Sequence, residues 1–147
     1  MKEVILIHVV NKSENNLPEY STDGAFAMDL RSNEDITIPY LSTKVVKTGL
    51  FMEVPEDHAL RIVPRSGLSS KGVLVSNSPG TIDEDYRGEI GVIITNVQTN
   101  EESFEIRRGD RIAQCYLEKK IGFAFVKVDS LSETKRGAGG FGSTGIK

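Results

Sequence analysis

Apolar positions along this chain come in short runs with the alternation expected of strands. Val4–Val10, Ile36–Ile38, Lys44–Val54, Leu60–Val63, Ile90–Asn96, Phe104–Ile106, Arg111–Leu117 and Phe123–Val128 are mostly rich in Val, Ile, Phe or Thr. Gly, Pro, Asn or Asp bounds many of them. No amphipathic helical pattern persists beyond about two turns. One short helix is expected at Ser66–Lys71, where Pro64-Arg65-Ser66 supplies a start and Ser66 an N-cap. Many short strands without long helices predict an all-β fold: a sandwich, jelly roll or barrel. No internal repeat is visible.

The most informative stretch is Asn77–Glu89, which reads Asn-Ser-Pro-Gly-Thr-Ile-Asp-Glu-Asp-Tyr-Arg-Gly-Glu. Pro79-Gly80 and Arg87-Gly88 are turn signals, and they bracket Asp83, Glu84 and Asp85 beside Tyr86. Val73, Leu74 and Val75 precede the stretch, and Ile90, Val92, Ile93 and Ile94 follow it. That is a β-hairpin with a chemically loaded turn. An acidic turn also arises for purely local reasons, since Asp accepts backbone hydrogen bonds and Gly supplies positive φ.

From Ser132 the character changes. Lys135-Arg136-Gly-Ala-Gly-Gly-Phe-Gly-Ser-Thr-Gly145 carries a single large apolar residue, Phe141, and cannot bury enough surface to order itself. Residues 1–131 are therefore expected to form one domain and residues 132–147 a flexible arm. Gly137, Gly139 and Gly142 match G-x-G-x-x-G, but too little chain follows to complete a strand–loop–helix unit, and Ser143 replaces the P-loop lysine. A dinucleotide fold is rejected. Consecutive Gly, Ser and Thr nonetheless offer backbone and hydroxyl donors suited to phosphate oxygens.

Bulk properties narrow the class. The chain has 147 residues, enough for one domain, which at that size buries about 68–70% of its unfolded surface. A net charge of −3 argues against coating nucleic acid by bulk electrostatics. Cys115 is the only cysteine, so no intrachain disulfide forms. With no signal-peptide pattern or membrane-length apolar run, a soluble cytoplasmic protein is expected.

Five segments belong together: Gly24-Ala-Phe-Ala-Met-Asp29-Leu30-Arg-Ser, Pro64-Arg65-Ser66-Gly67-Leu68-Ser-Ser-Lys71, the hairpin, Arg108-Gly109-Asp110-Arg111-Ile112-Ala113-Gln114, and the arm from Arg136. In this order and spacing they resemble the five motifs of the trimeric deoxyuridine triphosphatases, over nearly the whole chain. The resemblance implies a homotrimeric jelly-roll fold that hydrolyses dUTP to dUMP and pyrophosphate with Mg²⁺. It implies active sites shared between subunits, each closed by an arm.

The residue roles follow from the same resemblance. Asp83 matches the catalytic aspartate that orients and partly deprotonates the attacking water. Tyr86 matches the ring that lies under the deoxyribose and excludes a 2′-hydroxyl. Asn77, Gly80, Thr81, Ile82 and Gly91 match the uracil-reading positions. A backbone edge fits uracil and leaves cytosine unpaired, which is worth discrimination of about 10⁴–10⁵. Glycine within a strand, as at Gly91, suits close approach of a ligand to backbone. Arg65, Ser66 and Gly67 resemble a phosphate cradle, with Gln114 on the phosphate side. Asp29 matches the carboxylate that holds Mg²⁺ through water. On the arm, Arg136 would reach the γ-phosphate, Phe141 would stack on uracil, and Gly142, Ser143 and Thr144 would wrap the terminal phosphates. Asp110 and Arg111 read as structural, a turn or intersubunit ion pair. His8 and His58 belong to no cluster.

Ala27-Met28 stands where the family pattern often has a glycine and an aromatic residue, and Ser69 where Ala or Gly is common. Two other functions fit the fold less well. A dCTP deaminase would need a glutamate proton shuttle after the hairpin, where Ile93-Ile94-Thr95 stands instead. A nucleotide-binding regulator on the same fold would have no need of Asp83, Arg65, Tyr86, Arg136 and Phe141 together.

Overall fold

Strict alternation builds the sandwich. In β8 (Glu89–Asn96) every second residue is buried, so Ile90, Val92, Ile94 and Asn96 face inward. In β5 (His58–Val63) Leu60 and Ile62 do the same. The computed structural model describes residues 4–146. The first residues of the expected domain (1–3) and the last of the expected arm (147) lie outside the described residues.

The remaining elements are β1 (His8–Asn11), β2 (Met28–Arg31), β3 (Ile36–Ile38), β4 (Ser42–Glu53), α1 (Ser66–Ser69), β6 (Val73–Val75), β7 (Gly80–Ile82), β9 (Phe104–Ile106) and β10 (Arg111–Lys119). One four-stranded sheet has the order β1-β4-β8-β6, the other β2-β10-β5-β7, and β3 pairs with β9. Every pairing is antiparallel. The fold is a jelly-roll β-sandwich with one short helix. Val46, Val92 and Ile94 from the first sheet and Leu30, Leu60, Ile62 and Ile112 from the second belong to a single buried core. Burial of such side chains contributes about 1.5–3 kcal/mol each.

The core has a polar fastening. Fully buried Asn96 donates from Nδ2 to the carbonyls of Ile38 (2.9 Å) and Glu102 (2.8 Å), and its Oδ1 accepts from the Gln98 N–H (3.1 Å). All its polar atoms are thus satisfied, and β8 is tied to β3. In β4 the register with β8 shifts between Lys47 and Phe51, and Gly49 sits there at φ +72°. A Cβ on it would lie 2.9 Å from both Ser13 Cβ and Asn33 Nδ2, so the position needs glycine twice over.

β3 and β9 form at the expected residues, and β4, β5, β8 and β10 match within a few residues at their ends. Three expectations fail. The N-terminal strand begins at His8 rather than Val4, because Val4 and Leu6 stand exposed without a partner strand. The helix ends at Ser69, and Arg65 rather than Ser66 occupies its N-cap, with no side-chain capping bond. Phe123–Val128 is not a strand: the chain leaves the sandwich after Lys119, and Phe123, Phe125 and Val126 are each at least 80% exposed. Its sequence has strand character, but it pairs with no strand among the described residues. Conversely, Met28–Arg31 and Gly80–Ile82 are strands that the apolar pattern did not announce. No helix among the described residues is long and apolar enough to cross a membrane.

Candidate active site

The hairpin is real and more elaborate than a single turn. β6 and β8 pair with Val73 opposite Asn96 and Val75 opposite Ile94. Between them the chain crosses to the other sheet as β7, where Gly80 faces Ile62, Thr81 faces Arg61 and Ile82 faces Leu60. Buried Gly80 lies beneath Asn77, whose Nδ2 would be 3.2 Å from an added Cβ. Arg61 holds the Thr81 hydroxyl and the Glu118 carboxylate together.

Asp83 emerges at the exposed end of β7, and its carbonyl accepts from the Tyr86 N–H (3.2 Å) to make the turn. Tyr86 folds its ring over Gly88 and donates from its hydroxyl to the Glu89 carbonyl (3.0 Å). A Cβ on Gly88 would lie 2.3 Å from Tyr86 Oη, so only glycine allows this ring position. Arg87 closes the turn by donating to the carbonyls of Glu84 (2.7 Å) and Tyr86 (3.1 Å). A cavity of about 630 Å³ opens beside Asp83, lined also by His58, Arg61, Glu118 and Lys120.

Gly91 pairs with Lys47 in the body of β8. An added Cβ would lie 2.6 Å from Val45 Cγ1, so packing within the chain already favours glycine there, whatever a ligand requires.

A separate cluster forms at the other end of the second sheet. Gln114 in β10 stands opposite Asp29 in β2 and Val63 in β5. Asp29 is only 16% exposed and lies between two guanidinium groups: Arg65 Nε at 3.0 Å from Oδ1 and Arg111 Nη1 at 3.6 Å from Oδ2. The Asp29–Arg65 contact is close but poorly aligned, leaving both atoms buried without a proper hydrogen bond. Ser66 and Gly67 begin the short helix beside Arg65, where first-turn N–H groups lack intrahelical acceptors. Arg111 is thus part of this cluster and, among the described residues of the chain, forms no ion pair with Asp110. Asp110 instead makes the turn expected of it, accepting from the Arg107 N–H (2.9 Å). Cys115, the next residue in β10, is buried, and burial together with the nearby Asp29 charge pushes its thiol up to about 12.

The arm stands apart from both groups. Its hydrogen bonds are local turns: Gly139 N–H to Arg136 carbonyl, Ser143 N–H to Gly140 carbonyl, and Gly145 N–H to Gly142 carbonyl. Arg136 Nε bonds the Gly139 carbonyl, Phe141 is fully exposed, and Thr144 lies in the last of these turns.

Of the expected site residues, the structure therefore gathers Asn77, Gly80, Thr81, Ile82, Asp83 and Tyr86 on the hairpin, and Asp29, Arg65, Ser66, Gly67 and Gln114 at the cradle. It does not bring the two groups together. Ile82 is level with Leu60, and Val63, where β5 ends, lies three residues further along, about 10 Å at strand rise, with Arg65 beyond it. Glu84 and Arg87, to which the sequence reading gave no role beyond the acidic turn and its closing signal, hold the Asp83 turn. Their signal was only membership of a dense charged loop.

A sequence model of the dUTPase family matches residues 13–145. The chain is similar to the deoxyuridine 5'-triphosphate nucleotidohydrolase of Cytophaga hutchinsonii, with 49% identity over 142 residues that span 95% of this chain and 91% of the relative. It is likewise similar to the protein of that name from Finegoldia magna, at 46% identity over 95% of this chain and 98% of the relative. Among solved structures, a variant of the Staphylococcus bacteriophage 80alpha dUTPase with dUpNHpp superimposes with a TM-score of 0.86 over 97% of this chain and all of the other, at 24% identity. A variant of the phage phi11 dUTPase, described for its coordination of a structural Mg(II) ion, gives a TM-score of 0.76 over 86% of this chain and 98% of the other, at 22% identity. At such identities the likeness speaks for the fold. With hairpin, cradle and arm all inside the matched span, this chain belongs to the dUTPase family.

Proposed function

We propose that this chain is a dUTP diphosphatase that hydrolyses dUTP to dUMP and pyrophosphate, keeping uracil out of DNA and supplying dUMP for dTTP synthesis. The observation that carries the reading is 49% identity, across 95% of the chain, to a protein named for that hydrolysis.

In this reading a water oxygen attacks the α-phosphorus while the bond to the bridging oxygen of the β-phosphate breaks. Asp83 orients that water and takes its proton. An exposed carboxylate is a modest base, so placement contributes more than basicity. Tyr86, fixed by its hydroxyl and by Gly88, forms a rigid floor for a deoxyribose, against which a 2′-hydroxyl would clash. Asn77, Gly80, Thr81, Ile82 and Gly91 present the edge that reads uracil.

Arg65, the N–H groups of Ser66 and Gly67, and Gln114 form the phosphate cradle. The Arg65 side chain is partly exposed, so its guanidinium can offer donors to a phosphate oxygen. The donor set fits magnesium only in one manner. A lone carboxylate between two arginines is a poor resident cation site, and no cluster of three metal-ligating side chains occurs among the described residues. Asp29 fits a magnesium ion that arrives on the triphosphate and is met through water. When bound, that ion neutralises phosphate charge.

The chain is further proposed to act as a homotrimer with shared sites. Asp83 and Arg65 of one chain lie towards opposite ends of β5, whereas those of different copies can face each other. The exposed apolar segment from Ile121 to Leu131 suits a strand that pairs with another copy. Residues 132–147 then act as a flexible arm: Arg136 reaches the γ-phosphate, Phe141 stacks on uracil, and Gly142, Ser143 and Thr144 wrap the terminal phosphates of a neighbouring site. Its place of work is the cytoplasm.

The direct test is pyrophosphate release from dUTP with Mg²⁺, with UTP, dTTP and dCTP as controls. Release from dUTP alone is the expected result; binding without release would replace the enzyme by a nucleotide-responsive regulator.

A further inference from the structure

The turn that carries Asp83 projects beyond the end of β7, where no ladder hydrogen bond steadies it. What steadies it is the next residue. Glu84 Oε2 accepts a hydrogen bond from the backbone N–H of Asp57 (2.6 Å), in the turn between β4 and β5. Asp57 has φ +58°, a left-handed conformation that Asp tolerates and that aims its N–H at the acid. The Asp57 carbonyl in turn accepts from the Lys120 N–H (2.7 Å), where the C-terminal segment leaves the sandwich. Lys120 Nζ stands 3.9 Å from Glu84 Oε1, and Arg87 donates to the Glu84 carbonyl (2.7 Å). The residue following Asp83 is therefore held at both its side chain and its backbone.

We propose that Glu84 is a positioning residue for the hydrolysis: through the Asp57 amide it fixes the turn that aims Asp83, at the root of the C-terminal segment. The proposal rests on the reading of Asp83 as the residue that orients the attacking water. Glu84 does not touch the substrate in this scheme. Its carboxylate acts as an acceptor, and its charge is secondary. The Lys120 contact is long and largely exposed, so it contributes little. Where catalysis is mainly placement, a displacement of about 1 Å costs on the order of 10²-fold in rate. Removing the acceptor lets the turn relax on that scale, while uracil and phosphate contacts elsewhere persist.

The test compares Glu84→Ala, Glu84→Gln and Asp83→Asn in the full-length chain. Glu84→Ala is expected to lower kcat by roughly 10–100-fold while KM for dUTP changes little. Glu84→Gln keeps an oxygen acceptor for the Asp57 amide and is expected to restore most of the turnover. Amide hydrogen exchange supplies a readout independent of activity: Asp57 N–H is protected in the parent and in Glu84→Gln, and exchanges rapidly in Glu84→Ala. Full activity of Glu84→Ala beside an inactive Asp83→Asn would overturn the positioning role and spare the reading of Asp83. A Glu84→Gln protein as slow as Glu84→Ala would show that charge matters instead of the clamp, and would equally overturn it. An active Asp83→Asn protein would remove the reading on which the proposal stands.

Discussion

Two inactive variants should make an active mixture. Asp83→Asn removes the residue proposed to orient water, and Arg65→Ala removes the centre of the proposed phosphate cradle. Within one chain these positions lie towards opposite ends of β5, because Ile82 is level with Leu60 and Arg65 lies beyond Val63, the last residue of that strand. If every site takes Asp83 from one subunit and Arg65 from another, each variant alone is defective at all its sites. In randomly mixed assemblies of equal amounts, a site is intact when its Asp83 comes from the Arg65→Ala chain and its Arg65 from the Asp83→Asn chain. Each choice has even odds, so about a quarter of sites are whole, as symmetric head-to-tail contacts require. The assay is pyrophosphate release per chain after co-refolding or co-expression, with mixed assembly verified by native mass spectrometry. Recovery to about a quarter of the parental rate is expected. Mixed trimers no more active than the separate variants would refute the split site.

Removing residues 136–147 should leave a folded protein with severely reduced dUTP turnover, because the described residues of the arm hydrogen-bond only among themselves; thermal melting and steady-state kinetics check both halves. Gly88→Ala places a Cβ 2.3 Å from Tyr86 Oη, so the ring must leave its seat and the preference for dUTP over UTP should fall, as measured by competing turnover. Cys115 has a folded pKa raised from 9.0 to about 12, mainly by burial. Above pH 9 the unfolded thiol ionises while the folded one keeps its proton, so stability falls as pH rises from 9 towards 12. The slope from this group approaches about 1.4 kcal/mol per pH unit. Urea titrations across that range should lose this slope in Cys115→Ala.

Much of the sheet framework was legible because burial repeats every second residue: Ile90, Val92 and Ile94 announce β8, and Leu60 and Ile62 announce β5. What the alternation could not carry was partnership. Phe123–Val128 has the composition of a strand, yet whether it pairs depends on an edge that its own sequence does not encode. Gly80–Ile82 has too few side chains to show a period, and it becomes a strand because β5 offers an edge to it. Met28–Arg31 has one fully buried side chain, Leu30, and so gives no alternating signal. The candidate residues were more readable than their arrangement. The hairpin and cradle residues stood out by type and spacing, but their division between two ends of one sheet is a matter of register. Glu84 was hidden because a clamp to the Asp57 amide is a contact across 27 positions.

The stretch from Ile121 to Leu131 leaves phenylalanines and valines in water for as long as a chain is alone. Burying it against other copies would make folding a reaction of higher order, so that unfolding midpoints rise with protein concentration. Dilution would then remove activity before it melts the sandwich, and a newly made chain would have no turnover until it met its equals.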